Sequence, residues 1–153
     1  MWLALVALAA CSGDDDKNVS VIDLAKKGAG TCIDAPPTLG PEVKKIPTVD
    51  CAVKHTHEIY AVLPYVVQEP GKPDAKATVF PGLEALDAFA QRACITEFEP
   101  YVGVSAFDSS LTFSWLTPTL ASWNGTAKDR SIICVLGMFN GQPMTGSKKS
   151  TKI

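Results

Sequence analysis

Cys51, His55, His57 and Glu58 lie within eight residues of one another and carry four side chains that could do chemistry. Three kinds are open to them. Cys51, His55 and His57 share parity, so on an uninterrupted strand they would face one way and could ligate zinc. His55 with Glu58 could serve as a base and an acid, which would make the chain an envelope hydrolase. Glu58 with Glu97 or Glu99 would be the carboxylate pair of a glycosidase. A serine triad could be drawn from Ser105, Asp108, Ser109 or Ser110, but no Gly-x-Ser-x-Gly elbow is present. Each reading has a plainer rival. A thiol in an exported chain is oxidised rather than metal-bound, and only two histidines exist to complete a site. Serines beside Gly103 and Asp108 are ordinary loop residues. The expectation is therefore no catalytic residue, no metal and no cofactor, with His55 and Glu58 forming a polar patch beside Cys51.

The elements that must position these residues follow from pattern. Pro81–Tyr101 reads as a long helix: Leu83, Leu86, Phe89, Ala90, Ala93, Cys94 and Phe98 recur at three- and four-residue spacing. Pro81 suits its start, with Glu84 and Asp87 near the positive end of the dipole. Val43–Cys51, Glu58–Val67, Leu111–Trp115 and Ser131–Phe139 read as strands, the last a central one because it is almost continuously apolar. Pro64 lacks an amide donor and points to an edge strand or a bulge. Gln68–Lys76 reads as a Pro/Gly/charged loop, Gly28–Ile33 as a turn into a short strand, and Val19–Lys27 as a strand or a helix. Strands, one helix, then strands is an α+β plan, a mainly antiparallel sheet with one long helix packed on it. Trp115 is expected in the core and Trp123, beside Asn124-Gly125, at the surface. Arg130 precedes the central strand and is expected to reach a carboxylate such as Glu58.

The first ten residues set the compartment. Trp2–Ala10 is an apolar run too short to span a bilayer as a helix, and it has the length of a signal-peptide core. It ends Leu8-Ala9-Ala10-Cys11, small residues before a thiol that can take a thioether lipid. Ser12–Asn18 is then polar enough to be a tether. Cys11 is thus expected to carry lipid and hold the chain at the membrane. No Lys or Arg precedes the apolar run, so a signal peptide starting further upstream is expected. The expected layout is signal peptide 1–10, lipidated Cys11 and tether 11–27, domain 28–149 and tail 150–153. Setting Cys11 aside leaves Cys32, Cys51, Cys94 and Cys134, an even number that implies two disulfides in an exported domain. Of three connectivities, the element map favours Cys32–Cys51 between neighbouring strands and Cys94–Cys134 across the helix–sheet interface. The formal charge of −2, with no extended basic face, argues against nucleic acid as a partner.

The run Val49-Asp50-Cys51-Ala52-Val53-Lys54-His55-Thr56-His57-Glu58-Ile59 resembles the Val-x-Cys-x-x-x-His-x-x-Glu-Val signature of the septum-formation domain family of actinobacterial membrane proteins and lipoproteins. Further pieces follow in that family's order: Gly30-Thr31-Cys32, Phe80-Pro81-Gly82 with Ala85, Leu86 and Cys94, Tyr101-Val102-Gly103, Pro118, Trp123, Asp129-Arg130 with Cys134, and Gly146-Ser147. Three residues depart from it: Lys54 replaces a usual Pro, Lys128 a usual Gly, and His57 is additional. The resemblance implies an envelope location and, through the family's name, a link to cell division. It singles out His55, Glu58, Trp123, Asp129 and Arg130 as motif or binding positions. The function expected is a non-catalytic, lipid-anchored extracytoplasmic domain that binds an envelope protein or a cell-wall component. A hydrolase using Glu58 and His55, and a metal-binding lipoprotein using His55 and His57, are the alternatives.

Overall fold

The computed structural model describes residues 18–36, 39, 43–69 and 72–153. The expected signal peptide, Cys11 and the part of the expected 11–27 tether up to Lys17 lie outside the described residues, as do Pro37, Gly40 and Pro41. Asn18–Ser20 is strand β1 and Val21–Lys27 is helix α1, so the ambiguous start of the domain is both. Ser20 caps α1 by accepting from the Asp23 amide, which turns Leu24 into the core. Cys32–Ile33 (β2), Lys45–Val49 (β3), His57–Pro64 (β4), Val66–Glu69 (β5) and Lys72–Lys76 (β6) follow, then the helix Leu83–Val102 (α2). Leu111–Leu116 (β7), the short helix Leu120–Asn124 (α3) and Ser131–Met138 (β8) complete the order.

Six strands form one antiparallel sheet in the order β1-β3-β2-β4-β8-β7. β8 lies between β4 and β7, which accounts for its apolar run on both faces. Its alternate residues serve two cores. Ile132, Cys134 and Leu136 pack with Leu86, Ala90, Cys94 and Phe98 of α2. Ile133 and Val135 pack with Leu24 of α1, Ile46 and Ile59. The stripe read for the helix is the buried one from Leu86 to Phe98, although Leu83 is exposed.

Both disulfides pair as the element map implied. Cys94 and Cys134 meet across the helix–sheet interface with Cα atoms 5.5 Å apart. Cys32 of β2 meets Cys51, in the turn just after β3, at 5.2 Å. The sequence separations of 40 and 19 residues correspond to about 4 and about 3 kcal/mol of lost chain entropy in the unfolded state.

One expectation is met, one is corrected, and one helix was not expected. β4 meets the expectation of an edge or a bulge: it lies between β2 and β8 but carries a register shift, and its β2 side is open at Pro64. Tyr65 donates to the Arg130 carbonyl (2.7 Å), so the pair beside it, Pro64–Ser131, is a non-hydrogen-bonded one and the Pro64 nitrogen points away from β8. β2 opposes only His57 and Glu58, so no strand there needs a donor from Pro64. The bulge falls at Tyr60, four residues earlier. Gln68–Lys76 belongs largely to the β5–β6 hairpin, whose pairing outweighs its poor strand composition. Helix α3, unread in the sequence, is set by a capping box in which Thr119 and Ser122 each satisfy the other's backbone amide.

Candidate functional site

Glu58 is the centre of the polar arrangement. It sits on β4 between Cys32 of β2 and Leu136 of β8, and it is 0% exposed. A carboxylate so placed needs donors on both oxygens. Tyr101, in the last turn of α2, donates its hydroxyl to Oε1 at 2.6 Å. Ser147 donates to the same oxygen at 2.5 Å, and the Lys148 amide donates to Oε2 at 2.7 Å. Burial, and then the hydrogen bond to Glu58, push the Tyr101 hydroxyl far above its ordinary value, so it stays a donor.

His55 fixes the same C-terminal stretch through its backbone. It exchanges amide–carbonyl bonds with Met144 at 3.0 and 2.8 Å, while the Gly146 amide donates to the Cys51 carbonyl at 2.7 Å. Its ring is 1% exposed; Nδ1 lies 2.8 Å from the Val53 carbonyl, which makes Nδ1 the protonated nitrogen. Nε2 is then a buried acceptor without a partner among the described residues. Cys32 Sγ, a His55 ring nitrogen and a Glu58 oxygen come within 4.8 Å of one another. This is the grouping the fold makes, in place of the Cys51, His55 and His57 face expected from parity. β3 stops at Val49 and Cys51–Val53 turns, so the parity is broken. The group is a poor fit to a metal: the Cys32 sulfur is tied to Cys51, and both Glu58 oxygens already accept.

His57 points elsewhere. Nδ1 meets the Thr56 hydroxyl at 2.9 Å, and burial holds the ring below its ordinary value, with Asp34 pulling it up and His55 pushing it further down. Gly137 on β8 makes the approach possible, since a Cβ there would stand 3.1 Å from the Thr56 carbonyl and 3.2 Å from the His57 ring. The Ser105–Ser110 segment is a turn: Ser105 accepts from the Asp108 and Phe107 amides and Ser109 from the Leu111 amide.

Trp123 and Arg130 form a second arrangement, and both correct an expectation. Trp123 is 0% exposed, with Tyr65 and Phe80 edge-on to it at 5.9 and 5.6 Å. Arg130 does not reach Glu58. Its guanidinium lies 3.6 Å over the Trp123 ring and donates to the carbonyls of Trp123 (2.9 Å), Asp129 (2.8 Å) and Ala77 (3.2 Å). Asp129 accepts from the Ser131 amide and the Ser122 hydroxyl. Trp115, expected in the core, is half-buried and bonds Asp87 through Nε1 at 3.1 Å. Tyr101, Ser147 and Lys148 had no role in the sequence reading, although Tyr101 and Ser147 are both within pieces that resembled the family. Polar residues recurring in a motif without a catalytic partner were the available signal.

These features define a small α+β domain with two disulfides and a polar centre that ties its C-terminal segment to the sheet. Residues 26–151 match the family described as "Septum formation", and the chain belongs to that family. It is 32% identical over 102 residues to the "Putative lipoprotein LppN" of Mycobacterium tuberculosis (strain ATCC 25618 / H37Rv), and to the protein of the same description in Mycobacterium bovis (strain ATCC BAA-935 / AF2122/97). Each match covers 66% of this chain and 50% of the relative, so the matched part spans about half the length of these curated relatives. No solved structure matches the chain significantly.

Proposed function

We propose that the chain is a lipid-anchored extracytoplasmic domain, held at the membrane through Cys11, that binds an envelope protein or cell-wall component without catalysing a reaction. The observation that carries this reading is the state of Glu58. The acid that would do the chemistry is buried and fully occupied by Tyr101, Ser147 and Lys148. An acid–base catalyst needs a substrate proton within reach, and this carboxylate is spent on holding the fold. The lipoprotein descriptions of the relatives support the anchor, and the family's description supports a place in septum formation.

The test uses cells producing the wild type and Cys11→Ala, grown with an alkyne fatty acid and then treated with a photo-cross-linker. The wild type is expected to take the label, stay with membranes and form a cross-linked adduct with an envelope component. Equal label in Cys11→Ala would refute the anchor, and absence of any adduct would refute the binding role.

A further inference from the structure

The sheet ends at β7, and a cavity of about 590 Å³ straddles that edge. Phe113, Trp115 and Leu116 of β7 line it, with Val21 and Ile22 of α1 and Val43 opposite. The hydrogen-bonding state of the edge follows from register. The Phe139 amide donates to the Ser110 carbonyl at 3.0 Å, and these two residues continue the register in which Leu111 opposes Met138. Ser110–Phe139 is therefore a hydrogen-bonded pair. Alternation turns the amides and carbonyls of Thr112, Ser114 and Leu116 towards β8 and those of Phe113 and Trp115 outward. Among the described residues, no group bonds these outward amides and carbonyls. The groove thus holds two donors and two acceptors in line, spaced as a neighbouring strand would need them.

Its charge is selective. Asp87 and Asp129 line the groove and Lys44 is its cation. Neither carboxylate is in an ion pair among the described residues, where the Lys26–Asp23 pair is the one found. Asp129 is 8% exposed, and its carboxylate accepts from the Ser131 amide and the Ser122 hydroxyl while Arg130 bonds only its main-chain carbonyl. An acyl chain would fit the apolar walls but would leave the outward amides and carbonyls dry and unbonded.

We propose that this groove binds an extended peptide segment of an envelope partner, added as a further strand on β7, with apolar side chains on the face of Leu116 and Val21 and a Lys or Arg on the other face, towards Asp87. The inference rests on the partner-binding reading above and names the chemistry of the partner.

The full chain, held in lipid nanodiscs, is panned against a phage library of random nine-residue peptides. Enriched sequences are expected to alternate apolar residues and to carry Lys or Arg. Adding such a peptide should slow hydrogen exchange of the Phe113 and Trp115 amides at least 100-fold and leave Ser114, already paired with β8, little changed. Asp87→Asn should weaken the basic peptide 5–10-fold and leave the same peptide with norleucine for lysine unaffected. Phe113→Pro removes an outward amide without touching a ladder bond and should weaken binding more than 50-fold; the exchange measurement on the wild type decides if that variant fails to fold. Absence of enrichment would overturn the proposal, as would enriched peptides that leave the two amides exchanging fast. So would amides already protected in the free protein, which would mean that the chain itself or a second copy covers the edge. Oleate filling the groove without protecting the amides would make it a lipid site instead. Failure here, with a cross-linked adduct still found in cells, discards the groove and keeps the function proposed above. Peptide binding with no adduct in cells keeps the groove as a peptide site and refutes the envelope partner.

Discussion

Replacing Glu58 by alanine tests whether the polar centre is structural. The change strands the Tyr101 hydroxyl, the Ser147 hydroxyl and the Lys148 amide together. A hydrogen bond to a charged group contributes about 1.5–3 kcal/mol. Tyr101 is buried and bears that loss in full, whereas Ser147 and Lys148 lie nearer the surface and can turn partly to water. The sum expected is about 3–5 kcal/mol, or a melting temperature lower by about 10–15 °C for a domain of this size. Glu58→Gln should cost about 1–2 kcal/mol, because its carbonyl can still accept from Lys148 and its amide can donate to the two hydroxyls. Calorimetry on the three proteins gives the melting temperatures. Amide exchange at Lys148 should rise in Glu58→Ala well before the sheet opens, because that amide depends on the carboxylate. A Glu58→Ala protein melting within about 3 °C of wild type would refute the structural role and return Glu58 to the hydrolase reading.

His57 carries a pH dependence. Burial lowers its proton affinity in the folded state from the ordinary 6.5, so folding favours the neutral ring. That contribution is whole above about pH 6.5 and is lost as pH falls through the depressed folded value. The urea midpoint should drop between pH 7.5 and 5, and the drop should shrink in His57→Asn; an unchanged drop would assign it to other groups. Removing Cys94 and Cys134 together should cost about 4 kcal/mol against about 3 for Cys32 and Cys51, and equal urea midpoints for the two double variants would contradict the loop-length argument. Arg130→Ala should destabilise by about 2–3 kcal/mol through the lost carbonyl bonds and the uncovered Trp123 ring. Arg130→Lys should recover little, because an ammonium has no planar fork to span several carbonyls. Wild-type melting for Arg130→Ala would free that residue for binding. Trp123→Ala should cost about 3–5 kcal/mol as a core cavity, while Trp115→Ala should leave the melt close to wild type; the opposite order would restore the placement expected from sequence.

What could be read from the residues was what is written locally. The α2 stripe is a matter of three- and four-residue spacing, and β8 of an apolar run, so both stood out. The disulfides followed once those two elements placed Cys94 and Cys134 on facing surfaces. The failures came where a residue's surroundings are assembled from afar. Glu58 finds its partners 43, 89 and 90 residues away, and no spacing rule reaches that distance. Trp123 stands beside Asn124-Gly125, which reads as exposed, yet the Thr119–Ser122 capping box winds one helical turn and carries the indole inward. Trp115 alternates correctly on its strand, but the strand is the last in the sheet, so alternation placed it on a face without saying how much of that face is covered. Composition misled at Lys72–Lys76, where antiparallel pairing to β5 makes a strand of residues with low strand preference.

Strand β8 separates Glu58 on β4 from the β7 edge, so the motif residues around Glu58 and the groove do not coincide, although Asp129 belongs to both a motif piece and the groove lining. Around Glu58 and His55, the C-terminal segment from Met144 onward is bonded to the 51–58 region and then to α2, where the Ser150 and Lys152 amides donate to the Tyr101 and Val102 carbonyls. A motif residue need not be catalytic if its removal would release a whole segment. The family pieces Cys51, His55, Glu58, Tyr101 and Ser147 fall on this one knot, and the second set, Trp123, Asp129 and Arg130, braces α3 against the start of β8. Both sets brace the sheet from the side, and a braced sheet is what an unpaired edge needs if a partner is to add to it without the strand fraying. β7 is tied to that bracing through its ladder with β8, while its outward amides and carbonyls make no bond to either set. The family pieces thus fall mostly on the scaffold, and on the proposal above it is the β7 edge that would discriminate partners.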